Sequence, residues 1–238
     1  MTVIKKLILG ILCFGVLSTQ ANLHSYPGPN CLNTALVHAQ ILKYPRYTSN
    51  QEMYLYLNSS LCQEITLGEK RQKNDIQIII DQRPLAQKGI ISHAYIYLSP
   101  EVMFEKIGFA VEAGYRYMKE DDILAEYEVD FLSIAVKGFR CQKLVNKELA
   151  GIESLEKELF FFDKNFDGDK FLIKVNSTLL KADTLSDIFI KKVIFQRALS
   201  LVFQLGVLDG KYQSEGINQL VFGQANHHEI KKVLNRML

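Results

Sequence analysis

The segment Ile91–Lys106 (ISHAYIYLSPEVMFEK) constrains the folding of this chain more than any other. Ile91–Leu98 is rich in β-branched and aromatic residues, Ser99-Pro100-Glu101 is a tight turn, and Val102–Lys106 reads as a second strand, so the pair is predicted to be a β-hairpin. With the turn centred on Pro100, residues whose numbers sum to about 200 lie opposite one another. Tyr95 then faces Glu105, and His93 lies diagonal to Glu105. Strand alternation places His93, Tyr95 and Glu105 on one face of the hairpin. This arrangement depends on register, because a slip of one residue would reverse the faces.

The flanking sequence adds further elements. Pro27-Gly28-Pro29 is a rigid turn and Asn30 a good N-cap. From Cys31 to Tyr44, apolar residues at positions 32, 35, 36, 39 and 42 predict a helix that Pro45 stops. Met53–Leu57 fits strand or helix, and the charged stretch Gly68–Asp75 a loop. Ile76–Ile80 is a buried strand running into a turn at 81–84. Phe131–Val136 and Leu159–Phe162 read as strands. Beyond about residue 180 the chain turns helical. Thr184-Leu185-Ser186-Asp187 resembles a capping box opening a helix that runs to Leu205, with Gly206 ending it. A last helix follows Asn226, with Ile230, Val233, Leu234 and Leu238 apolar. The expectation is an α+β fold: a mixed unit over residues 22–150, whose Cys-bearing helix packs on an antiparallel sheet, then a mostly helical region over 151–238.

Residues 1–21 carry a different signal. Lys5 and Lys6 precede the uncharged run Leu7–Leu17, and Ser18-Thr19-Gln20-Ala21 follows as a small, polar exit. The apolar run is shorter than the ~20 residues needed to cross a bilayer. The pattern is that of a cleavable secretory signal with the cut after Ala21, which predicts a bacterial periplasmic or secreted protein. No second long apolar run occurs, so no membrane span is expected after cleavage. Without Lys5 and Lys6, basic and acidic residues balance. A nucleic-acid partner would call for clustered positive charge, which is not seen.

Three cysteines follow the signal: Cys31, Cys62 and Cys141. In an oxidising compartment an odd number implies one disulfide and one free thiol, or an intermolecular bond. Cys62 and Cys141 each end an apolar stretch, so the expected bridge is Cys62–Cys141 with Cys31 free. A Cys31–Cys62 bridge is the alternative.

A free Cys31 in the first turn of a helix faces unpaired backbone N–H groups and the positive end of the helix dipole. Both favour thiolate, and the same N–H groups suit an oxyanion. A nucleophilic thiol also needs a base and an orienter. His93 and Glu105 are the candidates for those roles, with His24 as a reserve base. His38 lies seven residues beyond Cys31, about 10 Å along a helix, and is assigned to packing. The bland alternative makes His93 a satisfied core histidine and Glu105 part of a solvated edge.

The order of these pieces resembles the NlpC-type cell-wall peptidases of the papain-like fold. The carrying residues are Cys31 at a helix start, Tyr26 ahead of it, and the strand His-Ala-Tyr-Ile-Tyr-Leu from His93, where the family reads like HVGIYLG. The family's third polar residue comes about twelve positions after its His, where this chain has Glu105. The family's Asp-Cys-Ser-Gly is here Asn30-Cys31-Leu32-Asn33. The resemblance covers residues 26–106. It implies a cysteine hydrolase acting on an amide or ester, with Cys31 as nucleophile, His93 as base and Glu105 as orienter, and a peptide or cell-wall-like substrate. No cofactor is implied. Two non-catalytic readings stand beside it, an exported binding module on the same scaffold and a disulfide-bonded structural protein.

One further motif, Asp163-Lys-Asn165-Phe-Asp167-Gly168-Asp169, matches the opening of a calcium loop. Position twelve is Lys174, where such a loop needs Glu. The preferred reading is therefore a β-hairpin turn using Asp-Gly, with a calcium site at Asp163, Asn165 and Asp167 as the alternative.

Overall fold

The computed structural model describes residues 29–82, 90–108, 114–130, 134–162 and 166–214. In chain order its elements are α1 (Cys31–His38), α2 (Asn50–Leu57), β1 (Cys62–Ile65), β2 (Asp75–Asp81), β3 (Ile91–Ser99), β4 (Val102–Lys106) and β5 (Tyr115–Met118). These are followed by α3 (Glu120–Asp130), β6 (Ile134–Cys141), α4 (Ala150–Phe160), α5 (Gly168–Asp183) and α6 (Ile188–Ser214). A single 3₁₀ turn, Lys147–Leu149, leads into α4. The fold is α+β. The signal segment, His24, Tyr26, Asp163, Asn165 and the expected helix after Asn226 lie outside the described residues.

The strands form one antiparallel sheet in the order β1-β6-β2-β3-β4-β5. β2 to β5 make a meander, and β6 returns to pair with β2. The β3–β4 hairpin has Tyr95 opposite Glu105, Ile96 opposite Phe104 and Tyr97 opposite Met103, as turn position and alternation predict. Alternation then sorts the sheet's two faces. Ile76, Ile78, Ala94, Ile96 and Phe104 join a large core with Leu32 and Leu36 of α1. That core continues without a break at residue 150 into Leu155 of α4, Phe171 and Val175 of α5, and Ile194 and Leu201 of α6. The opposite face buries Ile79, Tyr95 and Met103 against Ile123 of α3.

Several elements differ from the sequence expectations. The first helix ends at His38 rather than Tyr44. Gln40 takes a left-handed φ of 60°, while its N–H donates to the Val37 carbonyl and the Ile41 N–H to that of Leu36 (3.0 and 2.9 Å). These are the two hydrogen bonds of a Schellman stop, with buried Leu36 and Ile41 as its apolar contact, built without glycine. Met53–Leu57 is helical, within α2. Leu159–Phe162 is not a strand. Ile152, Leu155 and Leu159 share one buried helical face, and Leu159 and Phe160 belong to the last turn of α4. The Asp-Gly hairpin turn is likewise overturned, because helices flank it. Asp167 is the N-cap of α5, accepting from the Lys170 N–H at 3.0 Å. The cap of α6 is Asp187, which accepts from the Ile190 N–H at 3.0 Å, and that helix runs through Gly206 to Ser214. The strand expected at Phe131–Val136 begins at Ile134 and extends to Cys141.

Cys62 and Cys141 form a disulfide and Cys31 is free, so the alternative bridge is excluded. The two bridged residues face each other across β1 and β6. The bond spans 79 positions of sequence, a length for which the chain-entropy model gives about 4 kcal/mol. Replacing both cysteines by serine is expected to lower the unfolding free energy by about that much, read as a drop in the urea midpoint with a steeper slope, because the unbridged unfolded chain is more expanded. An unchanged midpoint would show that this bond contributes nothing to stability. No helix among the described residues is long and apolar enough to cross a membrane.

Candidate active site

Cys31 is the first residue of α1, and the local sequence explains its placement. Asn30 has extended backbone (φ −109°, ψ 179°), and its Oδ1 accepts from the Asn33 N–H at 3.1 Å. Its carbonyl accepts from the Thr34 N–H at 3.0 Å. The Thr34 bond is the first regular bond of the helix and the cap serves Asn33, leaving the N–H groups of Cys31 and Leu32 without an intrahelical acceptor. The Asn30 side chain also docks on Thr48: Nδ2 donates to the Thr48 carbonyl at 2.7 Å, and the Thr48 N–H donates to Oδ1 at 3.3 Å. The cap is thus fixed to a neighbouring segment as well as to its own helix.

His93 reaches the thiol from β3. Ile79 pairs with His93 while Ile80 pairs with Ile91, so Ser92 has no opposite residue and forms a bulge beside His93. Such a bulge bends the strand and re-aims the neighbouring side chain. His93 Nε2 contacts Glu105 Oε2, across the predicted diagonal. With Nε2 committed to Glu105, Nδ1 is the nitrogen left for the Cys31 sulfur, which interacts with the ring. Nδ1 is buried and has no hydrogen-bond partner, so the thiol and the ring interact without a formed hydrogen bond between them. Cys31 is 7% exposed, His93 1% and Glu105 0%, so the array is closed to bulk water. The structure therefore brings Cys31, His93 and Glu105 together. His38 packs on Phe104, with ring centroids 4.4 Å apart.

The electrostatics follow from this packing. Burial pushes the Cys31 thiol up, but the proximity and charge of His93 outweigh it, helped by the backbone N–H groups of Ala94 and Leu32, and the net shift is down. Burial pulls His93 down, yet its interactions with Cys31 and Glu105 push it up to about 9. The two shifts describe a thiolate–imidazolium pair titrating as one unit. Burial would raise the Glu105 carboxyl, but His93 and Arg116 hold it below its ordinary range.

Sequence reasoning missed three parts of this site. Arg116, directly opposite Glu105 on β5, bonds Glu105 through Nε and pairs with Glu126 of α3 (Nη1 at 2.9 Å). Tyr127 of α3 stacks on the imidazole, with centroids 4.8 Å apart and planes 21° from parallel. The Ala94 backbone N–H helps to lower the Cys31 thiol. The alternating run Tyr-Arg-Tyr-Met at 115–118 was a legible strand signal, and the acidic triplet at 120–122 a legible helix start.

Among the described residues, no group of three or more His, Cys, Asp or Glu side chains is placed to hold a metal ion. Of the calcium-loop alternative, Asp167 is engaged by Lys170 through both its backbone N–H and its ammonium (3.0 Å each). Comparison with protein families, curated proteins and solved structures finds no match for this chain.

Proposed function

We propose that this chain is an exported cysteine hydrolase with a papain-like core, cleaving an amide or ester bond through Cys31, His93 and Glu105. The observation that carries the reading is a buried thiol at a helix N-terminus, interacting with an imidazole whose far nitrogen is held by a buried carboxylate. Glu105 holds one ring nitrogen, and the other is buried with no hydrogen-bond partner while the ring interacts with the Cys31 sulfur, an arrangement a merely structural histidine does not need. The resemblance to NlpC-type cell-wall peptidases supports a cell-wall-like peptide as substrate. The signal-like segment 1–21 and the Cys62–Cys141 disulfide support export.

The chemistry follows from the geometry. Cys31 thiolate adds to the carbonyl carbon, and charge developing on the carbonyl oxygen is met by the first-turn N–H of Cys31, which has no intrahelical acceptor. The His93 imidazolium gives its proton to the leaving nitrogen or oxygen as the C–N or C–O bond breaks, leaving a thioester on Cys31 and a neutral imidazole. His93 then takes a proton from water as its oxygen attacks the thioester, and returns it to sulfur when the acid is released. Glu105 keeps the imidazole oriented and stabilises its charge throughout. Tyr127 covers one face of the ring.

The test uses p-nitrophenyl acetate, a general activated ester. The expected results are turnover, an acetyl mass increment on Cys31 during it, and loss of both in Cys31→Ala. The pH profile carries a sign. An unactivated alkyl ester needs the imidazolium's proton on its leaving oxygen, so on such an ester kcat/KM falls as pH rises through about 9, whereas p-nitrophenolate leaves without it. Alkylation of Cys31 by iodoacetamide needs only thiolate and does not fall there. An unreactive wild-type Cys31 would overturn the reading.

A further inference from the structure

Behind α1 lies a buried network that the chemistry above does not use. Arg46, Glu52, Glu156 and Arg197 are all 0–1% exposed. The Arg46 guanidinium holds Glu52 of α2 (Nη1 at 2.8 Å) and Glu156 of α4 (Nε at 2.6 Å). Its Nη1 also donates to the Tyr47 carbonyl at 2.6 Å and to Thr48 Oγ1 at 3.3 Å. Glu156 is held in turn by Arg197 of α6 (Nε at 2.8 Å), and Glu52 accepts from Ser200 Oγ at 2.6 Å. Segment 46–48 is thus clamped to α4 by the Arg46 side chain.

The same three residues form the rail on which the nucleophile's helix is seated. Besides the Thr48 bonds to Asn30, the Arg46 N–H donates to Asn33 Oδ1 at 3.1 Å, and Asn33 Nδ2 donates to Thr48 Oγ1 at 3.2 Å. Asn30 and Asn33 bracket Cys31, and Tyr47 lies close enough to feel the charge on its sulfur. Gln204 of α6 fixes the rail from the other side, accepting from the Tyr47 N–H at 2.7 Å.

We infer that Arg46 is a positioning residue for Cys31, and that α4 and α6 act on the reaction by holding the 46–48 rail against the helix cap. This rests on the hydrolase reading. Without the guanidinium, the rail and cap are free to shift, and with them the sulfur's alignment on His93 and the Ala94 N–H. The Arg46 guanidinium hydrogen-bonds Glu52, Glu156, the Tyr47 carbonyl and Thr48, and none of these bonds goes to the sulfur. Its effect therefore runs through position.

The experiment measures iodoacetamide alkylation of Cys31 against pH, alongside thermal unfolding. Arg46→Met alone leaves the Glu52 carboxylate buried without its guanidinium and is expected to be unstable. The informative variant is Arg46→Met with Glu52→Met, which replaces a buried pair by apolar groups, an exchange that is often neutral or stabilising. In this double variant the alkylation midpoint is expected to move to higher pH, and kcat/KM on p-nitrophenyl acetate to fall ~10-fold or more, the scale of a displaced reacting group. Leu179→Ala in α5, buried in the same core but away from the rail, is the control; it lowers the unfolding temperature and leaves the midpoint in place. A double variant that keeps the wild-type midpoint and rate overturns this inference alone. A wild-type Cys31 that alkylates like an ordinary thiol overturns the hydrolase reading itself.

Discussion

His93→Ala is expected to lower kcat/KM on an unactivated alkyl ester by roughly 10² to 10⁴, the range for loss of a positioned acid–base group. The substitution removes both the partner that holds sulfur as thiolate and the proton donor for the leaving group. It also leaves Cys31 where burial acts unopposed by the imidazolium, so the alkylation midpoint moves up in pH. The midpoint and the rate report different roles. A midpoint that moves without loss of turnover would make His93 an electrostatic partner only, and a midpoint that stays put would remove it from the site. Cys31→Ala is the baseline, with no acyl adduct and no residual thiol chemistry at this position. Labelling at Cys31 is unambiguous, because the other two cysteines after the signal-like segment are joined to each other.

The arrangement of the site was legible in sequence where its determinants are local. The Ser-Pro-Glu turn set the hairpin register, alternation put His93 and Glu105 on one face, and the Asn30 cap placed Cys31 at a helix start. What escaped reading has a common physical cause. The α1 stop uses Gln40 in a left-handed conformation where glycine is the usual marker. Arg116 becomes a partner of Glu105 only once β5, a four-residue strand, pairs with β4. The Arg46–Glu156 bond joins residues 110 positions apart, and no local pattern announces a contact of that range. The Phe-rich end of α4 was read as a strand because three adjacent aromatics favour one locally. The buried face at Ile152, Leu155 and Leu159 decided otherwise, since burying a helical face outweighs local propensity.

The largest effect on stability is expected from Glu156→Leu. Glu156 is the one carboxylate shared by Arg46 and Arg197. Removing it leaves Arg197, 0% exposed, with no carboxylate partner among the described residues, while Arg46 keeps Glu52. Breaking a buried pair from one side typically costs about 3–5 kcal/mol, most of it the penalty of a stranded charge. Urea unfolding should show a loss of that order. Adding Arg197→Met removes the stranded charge and should recover most of the loss, although neither substitution restores a hydrogen bond. That recovery separates a charge effect from a packing effect; a double variant as unstable as Glu156→Leu would assign the loss to shape. The pH dependence has a definite sign. Burial would raise the Glu156 carboxyl, but Arg197 and Arg46 hold it below its ordinary range. Its contribution is present in full above the unfolded value of about 4.3 and is lost as pH falls through the lower folded value. Acid should therefore narrow the gap between wild type and Glu156→Leu, and a gap that stays constant from neutral pH into strong acid would show that Glu156 is not the ionised hub of this core.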